Sequence, residues 1–279
     1  MSQDTYSEAV NTARKYYNST DADRFYFSIW GGEDIHIGIY GEPEEDIKLA
    51  SRRTVQTMAS RLEDLGPQSK VLDMGAGFGG AARFLAKNFG CKVTALNLSP
   101  VQNLRNRQMN KEQELEHLVE VVEASFEEVP YPDESFDFIW SQDAILHSGD
   151  RKKVMAEVKR LLKPGGRFVF TDPMAADNCP DGVLQPIYDR IHLETLGSPK
   201  FYKDILEELG LRFVEFKENT GHLVNHYARI LQETETREAE LGKVVSRDYI
   251  DNMKKGLMHW VKGGEKGHLA WGIFNFQKD

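Results

Sequence analysis

Between residues 70 and 171 short apolar runs alternate with amphipathic stretches. The runs at 70–74, 91–97, 118–123, 136–141 and 167–171 are rich in Val, Ile, Leu and Phe, which suits strands buried on both faces. Between them, segments 80–88 and 151–162 and the one after Ser99–Pro100 space their apolar residues as helices do. Ser99 with Pro100 is a start signal, and Lys163–Pro164–Gly165–Gly166 reads as a turn that closes a helix. Alternation of this kind predicts an α/β fold, with a doubly wound, mostly parallel sheet covered by helices on both faces.

The flanks have a different rhythm. Residues 4–18 read as a helix with Ala9, Ala13, Tyr16 and Tyr17 on a partly apolar face. Asp21–Ala22–Asp23 caps a short helix at 24–29, and an ordered loop with glycines, aromatics and an Ile35–His36–Ile37 alternation fills 30–41. A helix is expected at 44–62, entered after Pro43 and stopped before Gly66–Pro67. Beyond the fifth run come a loop at 177–182, helices at 183–194 and 202–209, and a strand at 211–216 with Val214 and Phe216 on one side. Helices at 221–241 and 246–262 then precede a final strand at 269–276, which so long a connection allows to run antiparallel. One domain is expected: residues 1–65 form N-terminal helices and a lid, 66–175 a ligand-binding core, and 176–279 substrate-side helices and the last strands.

Composition narrows the class. A chain of 279 residues with 40% hydrophobic content supports one large core. A net charge of −9 without a Lys/Arg run makes nucleic acid or an anionic membrane an unexpected partner. Cys91 and Cys179 form neither a disulfide framework nor a zinc pattern, and His192, His222, His226, His259 and His268 lack acids at ligand spacing. No metal is expected. The polar start Met1–Ser2–Gln3–Asp4 and the lack of a long apolar run lead to the expectation of a soluble cytoplasmic protein.

The chemistry centres on Val71–Leu72–Asp73–Met74–Gly75–Ala76–Gly77–Phe78–Gly79–Gly80. A strand runs into a glycine turn and then a helix, which places a ligand at a helix N-terminus beside a strand's carboxyl end. Asp73 repels a pyrophosphate and attracts an ammonium, which favours a cofactor with a cationic end over a nicotinamide dinucleotide. An oxidoreductase on the same turn is the alternative of a different class, and a silent binding protein is another. Asn97, about 20 residues on, stands where a ribose-binding acid is expected; it serves either a ribose or a strand-end turn. After the fourth run, Asp143 and His147 lie four apart, so one helical turn would put both on one face. A carboxylate holds an ammonium and a histidine takes a proton, but the pair can equally cap the helix near Asp150. Aromatic residues crowd the first forty positions, among them Tyr16, Tyr17, Phe25, Tyr26, Phe27, Trp30 and Tyr40. Aromatic faces hold a methylated ammonium at about 0.5–2 kcal/mol each, though any one ring can equally be ordinary core packing; Tyr26 and Trp30 are the leading candidates.

Over residues 71–170 the glycine turn, Pro132–Asp133–Glu134–Ser135–Phe136–Asp137 and Leu162–Lys163–Pro164–Gly165–Gly166 together resemble class I S-adenosylmethionine-dependent methyltransferases. The resemblance implies a Rossmann-like seven-stranded sheet whose last strand is antiparallel, with an N-terminal helical lid and helical insertions. It implies S-adenosylmethionine held by Ile35, His36, Asp73, Gly75, Ala76, Gly77, Asn97, Leu98, Gln102, Ala124, Ser125 and Gln142. Gly75 and Gly77 would approach the methionine part, Asn97 and Leu98 the ribose and adenine, and Ala124 and Ser125 the adenine; many of these enzymes have Asp where Ser125 stands. Gln142–Asp143–Ala144–Ile145–Leu146–His147 resembles phosphoethanolamine methyltransferases. Residues 21–26 and 30–40 resemble the sarcosine/dimethylglycine N-methyltransferases of betaine synthesis, a similarity that spans nearly the whole chain.

On that resemblance a small amine is the substrate. Asp143 would orient it and His147 would relay its proton and pin the lid, while Tyr17, Tyr26, Trp30, Asp172 and Met174 would contact it. A phosphobase enzyme should carry basic and tyrosine residues after the fifth strand, where this chain has Asp172–Pro173–Met174–Ala175–Ala176–Asp177. A glycine-derived substrate also needs a partner for its carboxylate. Arg190, Arg229, Lys262 and His226 are candidates that the sequence does not rank.

Overall fold

The computed structural model describes residues 8–30 and 32–279. Expectations for residues 4–7, for Gly31 and for the faces of Ala9 and Ala13 lie outside the described residues. Five parallel strands form most of the sheet: β1 (Lys70–Met74), β2 (Lys92–Asn97), β3 (Val119–Glu123), β4 (Phe136–Gln142) and β5 (Leu162–Thr171). β6 (Met174–Ala175) and β8 (Leu269–Ala270) form a separate antiparallel two-stranded sheet, while β7 (Leu211–Glu218) and β9 (Gly272–Lys278) join the main sheet. Its order is β3-β2-β1-β4-β5-β9-β7, and β9 alone runs against its neighbours β5 and β7. Phe168, Phe170, Phe274 and Phe216 stack across β5, β9 and β7 with centroids 4.2–4.8 Å apart, which seats β9 between the other two.

Strand alternation sends successive side chains to opposite cores. Val71, Val93, Phe138, Trp140 and Val169 face α3 (Ile47–Ala59) and α4 (Gly80–Phe89). Leu72, Met74, Ile139, Phe168 and Phe170 face α6 (Arg151–Leu161) and α8 (Pro199–Glu208). α5 (Pro100–Glu112) flanks β2 and β3. A third apolar body joins Phe25, Ile29, Trp30 and Ile37 to Ile187 of α7 (Gln185–Ile191), Tyr227 of α9 (Thr220–Thr236), Trp260 of α11 (Arg247–Glu265) and Trp271. The N-terminal pieces are α1 (Glu8–Tyr17) and α2 (Thr20–Phe25), and α10 (Glu238–Leu241) follows α9. No described helix is long and apolar enough to cross a membrane.

Several boundaries differ from the sequence pattern. Ser19, not Asp21, caps α2: its Oγ accepts from Ala22 N at 3.2 Å. The chain then continues as a π-helical turn, Tyr26–Trp30, a backbone form that recurs at functional sites. α3 is shorter than expected because Asp46 caps it, accepting from Leu49 N at 3.2 Å. β5 begins at Leu162 and passes through Pro164–Gly165–Gly166, and its ladder with β4 shifts register between Phe136 and Phe138. The final strand is split at Trp271, whose N–H donates to Thr220 Oγ1 at 2.9 Å instead of joining the ladder.

Segment 33–41 crosses the glycine turn as a strap. Arg83 of α4 is buried and donates to Glu33 Oε2 at 2.8 Å, and Arg52 of α3 lies 2.9 Å from Glu33 and 2.7 Å from Asp34. A Cβ on Gly80 would stand 2.1 Å from Asp34 Oδ1, so the strap can lie here only over glycine. From α9, the buried His226 accepts at Nδ1 from Gly38 N (3.2 Å) and from the Tyr40 hydroxyl (2.9 Å).

Burial pushes the His226 imidazole down to about 3. In the unfolded chain it titrates near 6.5, so acid is taken up only on unfolding, and stability is lost as pH falls below about 6.5, by about 2 kcal/mol at pH 5 from this group. His226→Leu should lower stability at pH 7.5 by about 1–3 kcal/mol, because two donors lose their acceptor, yet lose less between pH 7.5 and 5 than the wild type. Urea unfolding at both pH values measures this; equal acid sensitivity in the two proteins would contradict it.

Candidate active site

Two adjoining cavities open at the carboxyl ends of β1–β4, where the sheet's strand order reverses. The first, of about 700 Å³, is lined by Arg14, Tyr17, Ile35, Gly75, Gly77, Asn97, Leu98, Ser99, Gln102, Ala124, Ser125, Phe126, Gln142, Asp143, Ala144 and His147. The second, of about 800 Å³, is lined by Thr12, Tyr16, Tyr17, Tyr26, Trp30, His36, Ile37, Asp143, Leu146, His147, Pro173, Arg190, Ile191, His192, Tyr227, Met253, Gly256, Leu257 and Trp260. Tyr17, Asp143 and His147 belong to both and form the wall between them.

The first cavity exists because its floor lacks side chains. Gly75 (φ +82°) and Gly77 (φ +53°) take left-handed backbone. A Cβ on Gly75 would meet Ala144 Cβ at 2.4 Å, and one on Gly77 would meet Ile35 Cδ1 at 3.1 Å. Gly75 N and Ala76 N donate to Leu96 O at 2.8 and 3.0 Å, which fixes the turn to the end of β2. Asn97 Nδ2 donates to Gln102 Oε1 (3.0 Å) and Asn103 Oδ1 (3.3 Å), and Ser125 Oγ accepts from Glu127 N (3.1 Å). Gln142 Oε1 accepts from Trp140 Nε1 at 3.0 Å, and its buried Nε2 has no partner.

Asp143 has φ +50°, and its N–H donates to Thr171 O at 2.9 Å. This turn sends the carboxylate up from the sheet. Oδ2 accepts from Ile37 N at 2.7 Å and Oδ1 from Trp271 Nε1 at 2.8 Å. Burial pushes the acid above its ordinary value, against the pull of His36 and these donors. His147 ends a 3₁₀ turn, Ile145–His147, and its Nε2 lies 2.8 Å from the Tyr17 hydroxyl. Burial, with Arg151 and Arg190 nearby, pushes this imidazole down to about 4, so it is neutral at pH 7. Asp143 and His147 therefore do not share a helical face: each reaches the wall from its own turn, and Asp150 itself caps α6, accepting from Lys153 N at 3.0 Å.

The second cavity is walled by rings. Tyr26 and Trp30 lie 4.9 Å apart, Trp30 and Tyr227 5.9 Å, and Tyr227 stacks on Trp260 at 5.1 Å.

Of the cofactor candidates, Ile35, Gly75, Gly77, Asn97, Leu98, Gln102, Ala124, Ser125 and Gln142 line the first cavity. His36 lines the second instead. Ala76 lines neither cavity. Nor does Asp73, whose side chain follows Val71 to the α3/α4 side, beneath the strap. Tyr17, Tyr26 and Trp30 line the second cavity, but Asp172 and Met174 do not. Asp172 is buried and accepts from Leu146 N (2.9 Å) and the Tyr202 hydroxyl (2.6 Å), so it props the turn that bears His147. Met174 is buried in β6 opposite Ala270, and Pro173 between them faces the cavity. Among the carboxylate candidates, Arg190 alone lines it. Tyr227, Met253 and Trp260 went unnoticed in the sequence because their helical spacing is that of ordinary core; Phe126 and Ala144 directly follow residues that were singled out.

The residues fit S-adenosylmethionine. The glycine floor admits close approach, Gln142 has a free donor, and the buried Asp73 keeps Oδ2 unpaired beside Asp34 and His36. A sheet of this order with such a crevice has the architecture of the class I S-adenosylmethionine-dependent methyltransferases. Residues 72–170 match the family model described as a methyltransferase domain. The sarcosine/dimethylglycine N-methyltransferase of Halorhodospira halochloris is 59% identical over 271 residues, 97% of each chain. That of Aphanothece halophytica is 54% identical over 275 residues, 98% of this chain and 99% of the other. A crystal structure from Galdieria sulphuraria, provisionally named a sarcosine dimethylglycine methyltransferase, has a TM-score of 0.90 at 45% identity and covers 95% of this chain and 99% of its own. The chain belongs to the sarcosine/dimethylglycine N-methyltransferase family, and S-adenosylmethionine is its methyl donor.

Burial raises the Asp73 carboxyl to about 7, with Asp34 adding to the shift and His36 and Arg83 opposing it. Its protonated form is the one the ligand-free fold favours, so the stability it contributes is present below about pH 4 and lost as pH rises through 7. Asp73→Asn should stabilise the ligand-free protein by about 1–3 kcal/mol at pH 8, with little effect at pH 4, and weaken S-adenosylhomocysteine binding at least about tenfold. Urea unfolding and calorimetric titration check both halves; unchanged cofactor affinity would remove Asp73 from the cofactor's surroundings.

Proposed function

We propose that this enzyme methylates the nitrogen of sarcosine and of dimethylglycine, forming betaine. The observation that carries the reading is the shared wall: Tyr17, Asp143 and His147 stand between a glycine-floored cavity and an aromatic one. The names of the relatives that match over nearly the whole chain support the choice of acceptor.

When bound, S-adenosylmethionine supplies an electrophilic methyl group on a sulfonium centre. This chain's part is to present a nitrogen lone pair to that methyl and to keep water out. Asp143 is fixed by Ile37 N–H and Trp271 Nε1–H, and a carboxylate oxygen has a further lone pair for an amine proton. The rings of Tyr26, Trp30, Tyr227 and Trp260 give a surface that favours the cationic character growing on nitrogen as the bond to carbon forms. The Tyr17 hydroxyl and the Nε2 of the neutral His147 share a hydrogen bond, which closes the wall. Alignment and water exclusion then supply most of the acceleration.

The expected proton-relay role of His147 changes here. An imidazole held down to about 4 is a hydrogen-bond acceptor at neutral pH and a weak base. The reacting amine must itself be deprotonated, so kcat/KM should rise with pH from 6.5 to 9. His147→Asn should lower kcat by about 10²–10³-fold while leaving that rise in place. A rise that vanishes in the variant would restore His147 as the titrating base. The acceptor is tested by S-adenosylhomocysteine release with glycine, sarcosine, dimethylglycine and phosphoethanolamine. Turnover of sarcosine and dimethylglycine is expected; turnover of phosphoethanolamine alone would overturn the proposal.

A further inference from the structure

Arg190, near the end of α7, lines the aromatic cavity. Its Nη2 donates to the Tyr16 hydroxyl at 3.2 Å, and its guanidinium carbon lies 5.5 Å from the Tyr16 ring centre. Its Nε is buried without a hydrogen-bond partner. Other arginines around the two cavities have acids or carbonyls to meet: Arg14 pairs with Glu123 at 2.7 Å, and Arg151 donates to Leu146 O at 3.0 Å. Among the described residues no carboxylate forms an ion pair with Arg190; its neighbours are phenols and the Met253 thioether. A guanidinium half-buried among rings, with its Nε shut off from solvent and no anion beside it, is costly, so its position calls for a negative guest.

Gly256 of α11 makes the room. A Cβ there would stand 2.8 Å from Arg190 Nε, 3.1 Å from its Cγ and 3.2 Å from its Cδ. Glycine inside a helix costs about 1 kcal/mol relative to alanine, so this position gives up helix stability where the arginine passes. Among the described residues lining this cavity, Asp143 is the only carboxylate and Arg190 the only guanidinium, with rings between them. That is the charge pattern of a zwitterion with a methylated nitrogen.

We propose that Arg190 receives the substrate's carboxylate, and that Gly256 permits it to do so. The enzyme thereby selects an amino acid over an amine of the same size without an acid group. The assignment rests on the reading of the acceptor as a glycine-derived amine. A planar carboxylate matches the guanidinium fork bidentately, which lysine does not reproduce.

The experiment compares dimethylglycine with N,N-dimethylglycinamide, which replaces the carboxylate by an uncharged amide of equal size. The ratio of kcat/KM for acid over amide should fall about 30-fold or more in Arg190→Met, through KM for the acid, and recover only in part in Arg190→Lys. Gly256→Ala should lower the same ratio about tenfold by displacing the guanidinium. S-adenosylhomocysteine affinity and thermal unfolding of each variant report separately on the cofactor cavity and the fold. Equal losses for acid and amide in Arg190→Met would mean that the residue only supports the cavity, and would overturn the assignment. So would an acid preference retained in that variant while the wild type turns over dimethylglycine. A wild type that turns over neither sarcosine nor dimethylglycine would overturn the acceptor reading itself, and this assignment with it.

Discussion

One carboxylate joins the parts of this molecule that do not otherwise meet. Asp143 stands just beyond β4, in a left-handed turn that lifts its side chain off the sheet. One oxygen takes the N–H of Ile37 from the N-terminal strap, and the other takes the indole N–H of Trp271 from the break between the last two strands. Residues 106 and 128 positions away are thereby held to the end of the strand beside the glycine turn. A buried acid is destabilised unless donors surround it, and those donors come here from both ends of the chain. The site can thus be completed only when the N-terminal segment has docked and the sheet has closed at β9.

The strap and the glycine turn are reciprocal. Asp34 and Ile35 occupy the space that side chains at Gly80 and Gly77 would fill. Arg83 and Arg52 hold the adjoining Glu33 and Asp34 by ion pairs from two different helices. The glycines therefore serve two contacts: a floor for the cofactor and a bed for the segment that roofs it. Asp73 lies under the strap with one oxygen unpaired, which sets a carboxyl group close to Gly75 without placing a side chain in the cavity.

Charge in the acceptor cavity is sparse and separated. His147 is neutral and spends Nε2 on Tyr17. The tyrosines hold their protons because burial raises Tyr17, Tyr26 and Tyr227 well above the ordinary phenol value. This leaves Asp143 and Arg190 as the two opposite charges on an aromatic surface. In such an interior each is strong, and neither is cancelled by the other at contact distance.

The strand–helix alternation, the glycine floor and Asn97 were legible in the residues themselves, and the family resemblance added Leu98, Ala124, Ser125 and Gln142; all of these positions lie at or just past a strand's end. In a parallel sheet, local order along the chain is enough to bring those ends together. Asp172 and Met174, which the resemblance placed at the substrate, both turn inward instead: the chain has left the sheet there, and Pro173 between them takes the cavity side. Local logic misled at Asp143 and His147, where helical spacing suggested one face and two separate turns supply the geometry. Nothing local distinguishes Tyr227 or Trp260 from core aromatics, or Arg190 from three other basic candidates. Sequence alone determined the sheet, the cofactor turn and the residues at the strand ends, since these depend on neighbours in the chain. The wall between the cavities, the aromatic surface and the unpaired guanidinium were decided by tertiary structure, because each depends on elements more than a hundred residues apart meeting over the same strand ends.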